Sequence, residues 1–329
     1  YYFGYPITPQ NEVAAYMAMR MPQVGGTFIQ AESEVAAINM VFGAAAVGVR
    51  AMTSSSSPGI SLKQEGISYL CGCELPAVIA NVVRGGPGLG SIGPSQADYF
   101  QATRGGGHGD YRTIALAPST VQELVDLTFL SFELADKYRN PVLILSDGIL
   151  GQMMEPVVLP EPTDGDLPPK DWALTGAKNR PPNVIKSLFL DVDLLEQLNV
   201  KLQEKYRRMT QEETRLEEVR MDDADIVLVA YGSVARICRG AVRRLREAGE
   251  RVGLLRPITV WPFPGEALAR AAETARLFLA VEMSMGQLVE DVRLALDGRA
   301  PVRFYGRAGG CVMTVEDVVK EIRKTRSEM

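Results

Sequence analysis

Histidine is nearly absent from this sequence: His108 is the only one in 329 residues. A multi-histidine metal site is thereby excluded. Cysteine is scarce as well, with Cys71, Cys73, Cys238 and Cys311 the four present. Cys71 and Cys73 form C-x-C, and nothing nearby completes a cluster. Iron–sulfur and structural zinc sites need several ligands at tight spacings. Structural thiols in a reducing compartment are the expectation, and a disulfide framework is not. No apolar run reaches the roughly 18 residues of a membrane span; Ala44–Met52 is short and interrupted by Arg50. A basic excess is also missing. The formal net charge is -5, which argues against a nucleic-acid partner. No signal peptide is read, and the expected location is the cytoplasm. The chain opens in strand character at Tyr1-Tyr2-Phe3-Gly4 without a methionine, so further native residues before Tyr1 are expected.

What is present is ordinary for a globular chain: 46% apolar and 23% charged residues. The length implies two domains. Helical and strand patterns alternate throughout. Helices are expected at Glu12–Met21, Glu34–Gly48, Ile60–Cys71 and Thr120–Tyr138, with strands at Arg50–Ser54, Ala77–Val83, Thr113–Ala117 and Pro141–Asp147. Ser54–Gly59, Arg84–Gly93 and Arg104–Gly109 read as loops. Short strands, apolar on both faces and separated by helices, imply a parallel sheet covered on both sides. Seven prolines between Pro156 and Pro182 mark a surface connection or an arm. A charged helical stretch, Asp191–Glu218, follows. A second α/β unit starts near Asp223 and ends in the helix Thr314–Thr325, with Thr314 as its N-cap and Asp317 at the third position. The expected divisions are 1–160, 161–222 and 223–329.

Open parallel sheets bind ligands at the carboxyl ends of their strands, and four segments there carry polar groups. In Tyr5-Pro6-Ile7-Thr8-Pro9-Gln10, two prolines hold a bend around Thr8, whose hydroxyl either caps the next helix or bonds a ligand. In Glu32-Ser33-Glu34, two acids open a helix of small and apolar residues. They either complement the helix dipole, or Glu34 is a buried carboxylate that shares a proton with a heterocycle. Arg84-Gly85-Gly86-Pro87-Gly88-Leu89-Gly90 is a shaped loop. Gly88, Gly90 and Gly93 match G-x-G-x-x-G by spacing, but Pro94 follows where a dinucleotide site turns into a helix, and no P-loop Gly-Lys-Ser/Thr follows either. Arg84 suits a carboxylate clamp, because a guanidinium meets a carboxylate bidentately. The fourth segment, Arg104–Asp110, holds His108, for which ligand, acid–base and structural roles all stay open. In the second unit, Gly232-Ser233 at a strand end reads as a packing turn.

Taken together, these motifs resemble the alpha subunit of 2-oxoacid:ferredoxin oxidoreductases of the 2-oxoisovalerate and 2-oxoglutarate types. The resemblance covers essentially the whole chain. It rests on Gly4–Pro9 (GYPITP), Gln30–Ala36 (QAESEVA), Met52–Gly59 (MTSSSSPG), Arg84–Gly90 (RGGPGLG), Leu255–Pro264 (LRPITVWPFP) and Glu282–Gln287 (EMSMGQ). It implies a thiamine diphosphate-binding fold of the pyrimidine type, followed by a transketolase C-terminal-like α/β domain. It also implies partners: a beta subunit with the diphosphate and Mg²⁺ site and an iron–sulfur cluster, a gamma subunit and a ferredoxin-like delta subunit. The implied substrates are coenzyme A and a 2-oxoacid.

By resemblance, Glu34 hydrogen-bonds the aminopyrimidine ring and favours the tautomer that removes the thiazolium C2 proton. Thr8 and Arg84 meet the substrate, and Pro6 and Ile7 lie against the cofactor. The chain departs from some relatives in lacking cysteine runs of the ferredoxin kind and a fused gamma domain, and His108 receives no role. The uncharged loop with Leu89 and Ile92 favours a branched-chain acid such as 2-oxoisovalerate over 2-oxoglutarate, with Arg104 the residue able to reverse that choice as a second anchor. Two other readings are weighed: thiamine chemistry with a different acceptor, as in transketolases and lipoate-linked dehydrogenases, and a non-catalytic interaction subunit.

Overall fold

The structure is a computed structural model that describes residues 1–161 and 167–328. Pro162–Asp166 of the Pro-rich connector, and Met329, lie outside the described residues. The first unit runs β1 (Tyr2–Gly4), α1 (Asn11–Arg20), β2 (Phe28–Gln30), α2 (Glu34–Ala46), β3 (Met52–Ser55), α3 (Ser57–Gly72), β4 (Ala77–Val83), α4 (Tyr99–Arg104), β5 (Ile114–Leu116), α5 (Val121–Tyr138), β6 (Pro141–Asp147) and α6 (Gly148–Gly151). After the connector come α7 (Val192–Glu212), β7 (Leu216–Val219), β8 (Ile226–Val229), α8 (Gly232–Glu247), β9 (Val252–Pro257), β10 (Thr259–Trp261), α9 (Gly265–Ala271), β11 (Leu277–Glu282), α10 (Leu288–Leu296), β12 (Val302–Gly306) and α11 (Val315–Ser327).

These strands form a seven-stranded sheet, β10-β5-β6-β4-β3-β1-β2, and a five-stranded sheet, β12-β11-β8-β9-β7. Their apolar character on both faces has its expected consequence: β4 and β6 are buried almost end to end beneath helices. The pairings are parallel except at one edge of each sheet, where β10 lies antiparallel to β5 and β7 antiparallel to β9. Local chemistry sets the helix starts. Ser33 Oγ accepts the Ala36 N–H to cap α2, and Thr120 caps α5 in the same way. Thr314 and Asp317 close a reciprocal capping box on α11.

Three segments differ from the sequence reading. The expected loop Ser54–Gly59 already turns into α3 at Ser57, because Pro58 in a first helical turn loses no hydrogen bond. The charged stretch to Glu218 ends as a helix at Glu212, and Leu216–Val219 instead pairs with β9. β10 leaves the second unit's sheet and becomes an edge of the first. The seam between the units is accordingly dense. Gln96 donates to the Tyr231 carbonyl and accepts from the Met283 N–H, both at 2.9 Å. Gln287 Oε1 accepts the Phe100 N–H, and its Nε2 donates to the Ala97 carbonyl. Gly85 and Gly93 press on Gly309 and Gly310 so closely that a Cβ on either would lie under 3.0 Å from backbone.

Candidate active site

In the sheet order β4-β3-β1-β2, four adjacent parallel strands end on the same edge. The segments leaving that edge carry Arg84 after β4, Ser56 to Gly59 after β3, Thr8 after β1 and Glu34 after β2. Side chains read as separate candidates are thus gathered by the topology.

Glu34 is the first residue of α2 and is buried, 6% exposed, whereas Glu32 faces solvent. The dipole reading applies to both acids, but only Glu34 is held inside. The space beside it exists because residue 59 is glycine. A Cβ there would stand 2.7 Å from Glu34 Oε1 and 2.1 Å from Ser55 Oγ. Hydrogen bonds in this corner go to Ser33 Oγ and to the Glu34 carbonyl rather than to its carboxylate. The hydroxyls of Thr53, Ser55 and Ser56 are buried nearby along β3 without protein partners. Buried polar groups are normally paired, so this edge keeps hydrogen-bonding capacity that the fold does not consume. A carboxylate and orphaned hydroxyls at a strand edge fit a polar heterocycle.

Arg84 is also buried. Nη1 donates to the Thr8 carbonyl at 2.9 Å and Nη2 to the Leu89 carbonyl at 3.0 Å. Nε is without a protein partner. Two of five donors therefore hold the loops in place while others are left over. Ser57 Oγ accepts from the Arg84 N–H, and Asn81 Oδ1 accepts the Ser57 N–H, so the start of α3 and the end of β4 are tied together. Asn81 also donates to Asp98, whose carboxyl is raised by burial against the pull of Asn81 and Ser57.

Thr8 does not cap α1. The cap position is Gln10, without a side-chain bond, and Thr8 Oγ1 instead accepts from Asn11 Nδ2 at 3.2 Å. Thr8 and Pro6 are exposed, and Ile7 is half-buried.

Other singled-out residues fall elsewhere. His108 lines a cavity of about 200 Å³ with Tyr69, Ser187, Leu195 and Leu202. That cavity meets α3 at Ser68–Gly72, some 13–20 Å along the helix from Gly59, so His108 is away from the Glu34 edge. Arg104 is held by Asp291 through bonds of 2.5 and 3.2 Å, with Tyr99 donating to the same carboxylate. Ser233 donates to Asp147, which makes Gly232-Ser233 a seam contact. The EMSMGQ motif is also structural here: Glu282 accepts N–H groups of Gln287, Leu288 and Val289 and caps α10. A larger hollow, about 520 Å³, lies in the second unit between Arg220, Arg239, Arg243 and Glu247 and contains none of the candidate residues. Two residues escaped the sequence reading. Gly59 was read as a loop glycine, and Lys63, which is fully buried, was not singled out at all. Their signal is the spacing Gly59, Lys63, Gly66, Leu70, one face of α3 on which Lys63 is the sole charge.

Comparison with known proteins agrees with this geometry. The family model "Pyruvate flavodoxin/ferredoxin oxidoreductase, thiamine diP-bdg" matches residues 1–220, and "Pyruvate:ferredoxin oxidoreductase core domain II" matches residues 224–318. The chain is 54% identical to ketoisovalerate oxidoreductase subunit VorB of Methanothermobacter thermautotrophicus, over 99% of this chain and 93% of that one. It is 36% identical to 2-oxoglutarate synthase subunit KorA of the same organism, over 98% and 93%. Among solved structures, 2-oxoglutarate:ferredoxin oxidoreductase from Magnetococcus marinus superimposes with a TM-score of 0.84 at 28% identity, covering 98% of this chain and 61% of that longer one. A split-gene transketolase, at 16% identity and a TM-score of 0.58, shares the fold. The two α/β units are thus a thiamine diphosphate pyrimidine-binding fold and a transketolase C-terminal-like domain. The chain belongs to the pyruvate flavodoxin/ferredoxin oxidoreductase family, as an alpha-type subunit of a thiamine diphosphate-dependent 2-oxoacid:ferredoxin oxidoreductase.

Proposed function

We propose that this chain supplies the pyrimidine-side half of an active site that oxidatively decarboxylates 2-oxoisovalerate to an acyl-CoA and CO2 and passes the electrons to ferredoxin. The observation that carries the site is the convergence of Glu34, Thr8 and Arg84 on one strand edge, with Arg84 bonded to the Thr8 carbonyl. When bound, thiamine diphosphate supplies the carbanion stabilisation that lets CO2 leave. Glu34 holds the proton shared with the aminopyrimidine ring. Pro6 and Ile7 shape the wall against that ring. The spare donors of Arg84 take the substrate carboxylate, and the Thr8 hydroxyl orients the 2-oxo group.

The diphosphate and Mg²⁺ site and the iron–sulfur cluster are assigned to a beta subunit, with a gamma subunit and a ferredoxin-like delta subunit completing the assembly and coenzyme A as acyl acceptor. Free Cys71, Cys73 and Cys238, all buried, suit the reducing cytoplasm.

The choice of 2-oxoisovalerate is supported by what meets the substrate side chain. A second carboxylate requires a second cation, since an unpaired buried charge is costly. Arg104, the cation nearest in sequence, is already paired with Asp291. The loop after Arg84 offers Leu89 and Ile92 instead. The 54% identity to a ketoisovalerate oxidoreductase subunit points the same way. Measuring kcat/KM of the assembled enzyme for 2-oxoisovalerate, 2-oxoglutarate and pyruvate tests the proposal. The branched acid is expected to lead by about tenfold or more, the value of one or two well-packed methyl groups. A preference for 2-oxoglutarate overturns the substrate and leaves the reaction class standing.

A further inference from the structure

We propose that Lys63 is a positioning residue for Glu34: its buried ammonium supplies the positive charge beside which Glu34 presents a carboxylate to the cofactor ring. The inference rests on the reading of Glu34 given above.

The placement is unusual for a lysine. The side chain is fully buried, and Nζ lies 3.5 Å from the Glu34 carbonyl oxygen. No carboxylate among the described residues comes within ion-pair distance of it. The same face of α3 is otherwise cut down to let α2 approach. Gly59 leaves room for the Glu34 side chain, and Gly66 leaves room for Ile38, where a Cβ would meet Ile38 Cγ2 at 2.5 Å. Lys63 stands between these two contact points. A methionine or leucine fits the same apolar setting and avoids the desolvation of an ammonium, so the charge brings the fold a cost and no ion pair. Such costs are characteristic of functional sites.

The surrounding charges single out Glu34 as the group that Lys63 serves. On α2 it is Glu34; Glu32, just before α2, points to solvent. On α3 itself Glu65 is bonded to Tyr69. Beyond β4, Asp98 is bonded to Asn81 and Arg84 to the Thr8 and Leu89 carbonyls. At the end of β6, Asp147 is taken by Ser233 and by the N–H groups of α6. Burial lowers the Lys63 ammonium from 10.5 to about 8, with the Glu34 charge pulling the other way. It therefore stays protonated at neutral pH. A fixed cation beside the first residue of α2 favours negative charge on the groups gathered at this edge. Without it, the bound cofactor ring is expected to hold its proton to higher pH.

The test uses the assembled complex with thiamine diphosphate bound. Lys63→Met and Lys63→Gln remove the charge at similar volume, and the readout is the pH midpoint of the cofactor's near-ultraviolet circular dichroism. Both variants are expected to move that midpoint upward by about one unit, a tenfold change in the proton equilibrium. Lys63→Met is also expected to melt no lower than wild type. An unchanged midpoint in both variants overturns the inference, as does a lower melting temperature with an unchanged midpoint, which marks a structural lysine. Glu34→Gln separates the two readings. A wild-type midpoint in Glu34→Gln overturns the role of Glu34 and this inference with it. A shifted or lost transition in Glu34→Gln beside an unshifted Lys63→Met overturns the Lys63 inference alone.

Discussion

Gly59 and Gly66 sit two turns apart on α3, and a methyl group added at either meets an α2 side chain. The consequences differ because the neighbours differ. Gly59→Ala drives against Ser55 Oγ and the Glu34 carboxylate, so it is expected to lower kcat by more than tenfold. Gly66→Ala drives against Ile38 and is expected to leave kcat near wild type. Both overpack the interface at about 1–3 kcal/mol, and thermal melts together with steady-state kinetics on the assembled enzyme separate the two effects. Equal activity losses in both variants count against a special place for Glu34. Lys63 adds a pH dependence. Its value falls from 10.5 to about 8 on folding through burial, so between those limits the unfolded chain binds more protons than the folded one. Stability therefore rises with pH across that window, and the full penalty of the buried ammonium is present below it. Denaturation of wild type and Lys63→Met at pH 7, 8.5 and 10 is expected to show this slope in the wild type and a flatter response in the variant. Legibility at this scale follows the same physics. Glu34 stood out because an acid opened an apolar helix, and Arg84 because a cation ended an apolar strand. Lys63 did not, since a lysine in a helix is ordinarily a solvated charge and only the packing of α2 on α3 takes it out of water. Of the two readings of Thr8, the structure removes the cap, since its hydroxyl lies outside the cap position, and the ligand role is the one proposed.

Elements were legible where hydrophobic patterning was long enough to carry a period. β4 and β6 occupy the residues that the apolar runs marked. β10 was not legible, because three residues show no alternation and their partner, β5, lies more than a hundred positions earlier. Three residues before the strand pair begins, a buried charge ties the same elements together. Arg256 at the end of β9 is fully buried, donates to both oxygens of Glu123 on α5 at 2.7 and 2.5 Å, and reaches Glu217 on β7 at 3.0 Å. It also donates to the Ala117 carbonyl just past β5. Burial raises the Glu123 carboxyl, but the Arg256 and Ser119 hydrogen bonds outweigh it and leave the group below its usual range. This contribution is present above the ordinary glutamate range and lost as pH falls through the lowered folded value. Glu123→Ala strips one of two partners from a buried guanidinium. It is expected to cost about 2–3 kcal/mol, less than the roughly 3–5 of a fully unpaired charge, because Glu217 remains. Urea denaturation of the chain checks this, and a change below about 0.5 kcal/mol removes the cluster from the account of how the units are joined.

At the scale of the whole molecule, the candidate site lies on an open edge of the first sheet. Thr8 and Pro6 are exposed at the strand edge. Leu89, Ile92 and Met285 stand 81%, 66% and 78% exposed on the loops that meet there through the Ser95–Met283 bond. Large apolar side chains left in water fit a surface that another chain covers. The two-unit architecture was legible from the alternation of helices and strands, whereas a partner subunit entered only through the family resemblance, since no residue pattern within one chain describes a partner's surface. On the proposal made above, the diphosphate and its Mg²⁺ are held by the beta subunit. On that proposal this chain offers only the ring-side hydrogen bonds. Each is worth about 0.5–1.5 kcal/mol net, too little to order a flexible cofactor against the entropy of binding. The isolated chain is therefore expected to bind thiamine diphosphate only weakly in calorimetry, with or without Mg²⁺, and to bind it tightly once the beta subunit is added. Ile92→Asp and Met285→Asp are expected to leave the melting temperature of the isolated chain unchanged, because both side chains already face water, and to weaken its association with the beta subunit in sedimentation. Tight Mg²⁺-dependent binding by the isolated chain overturns the shared site. Undiminished association of both aspartate variants moves the partner to another face.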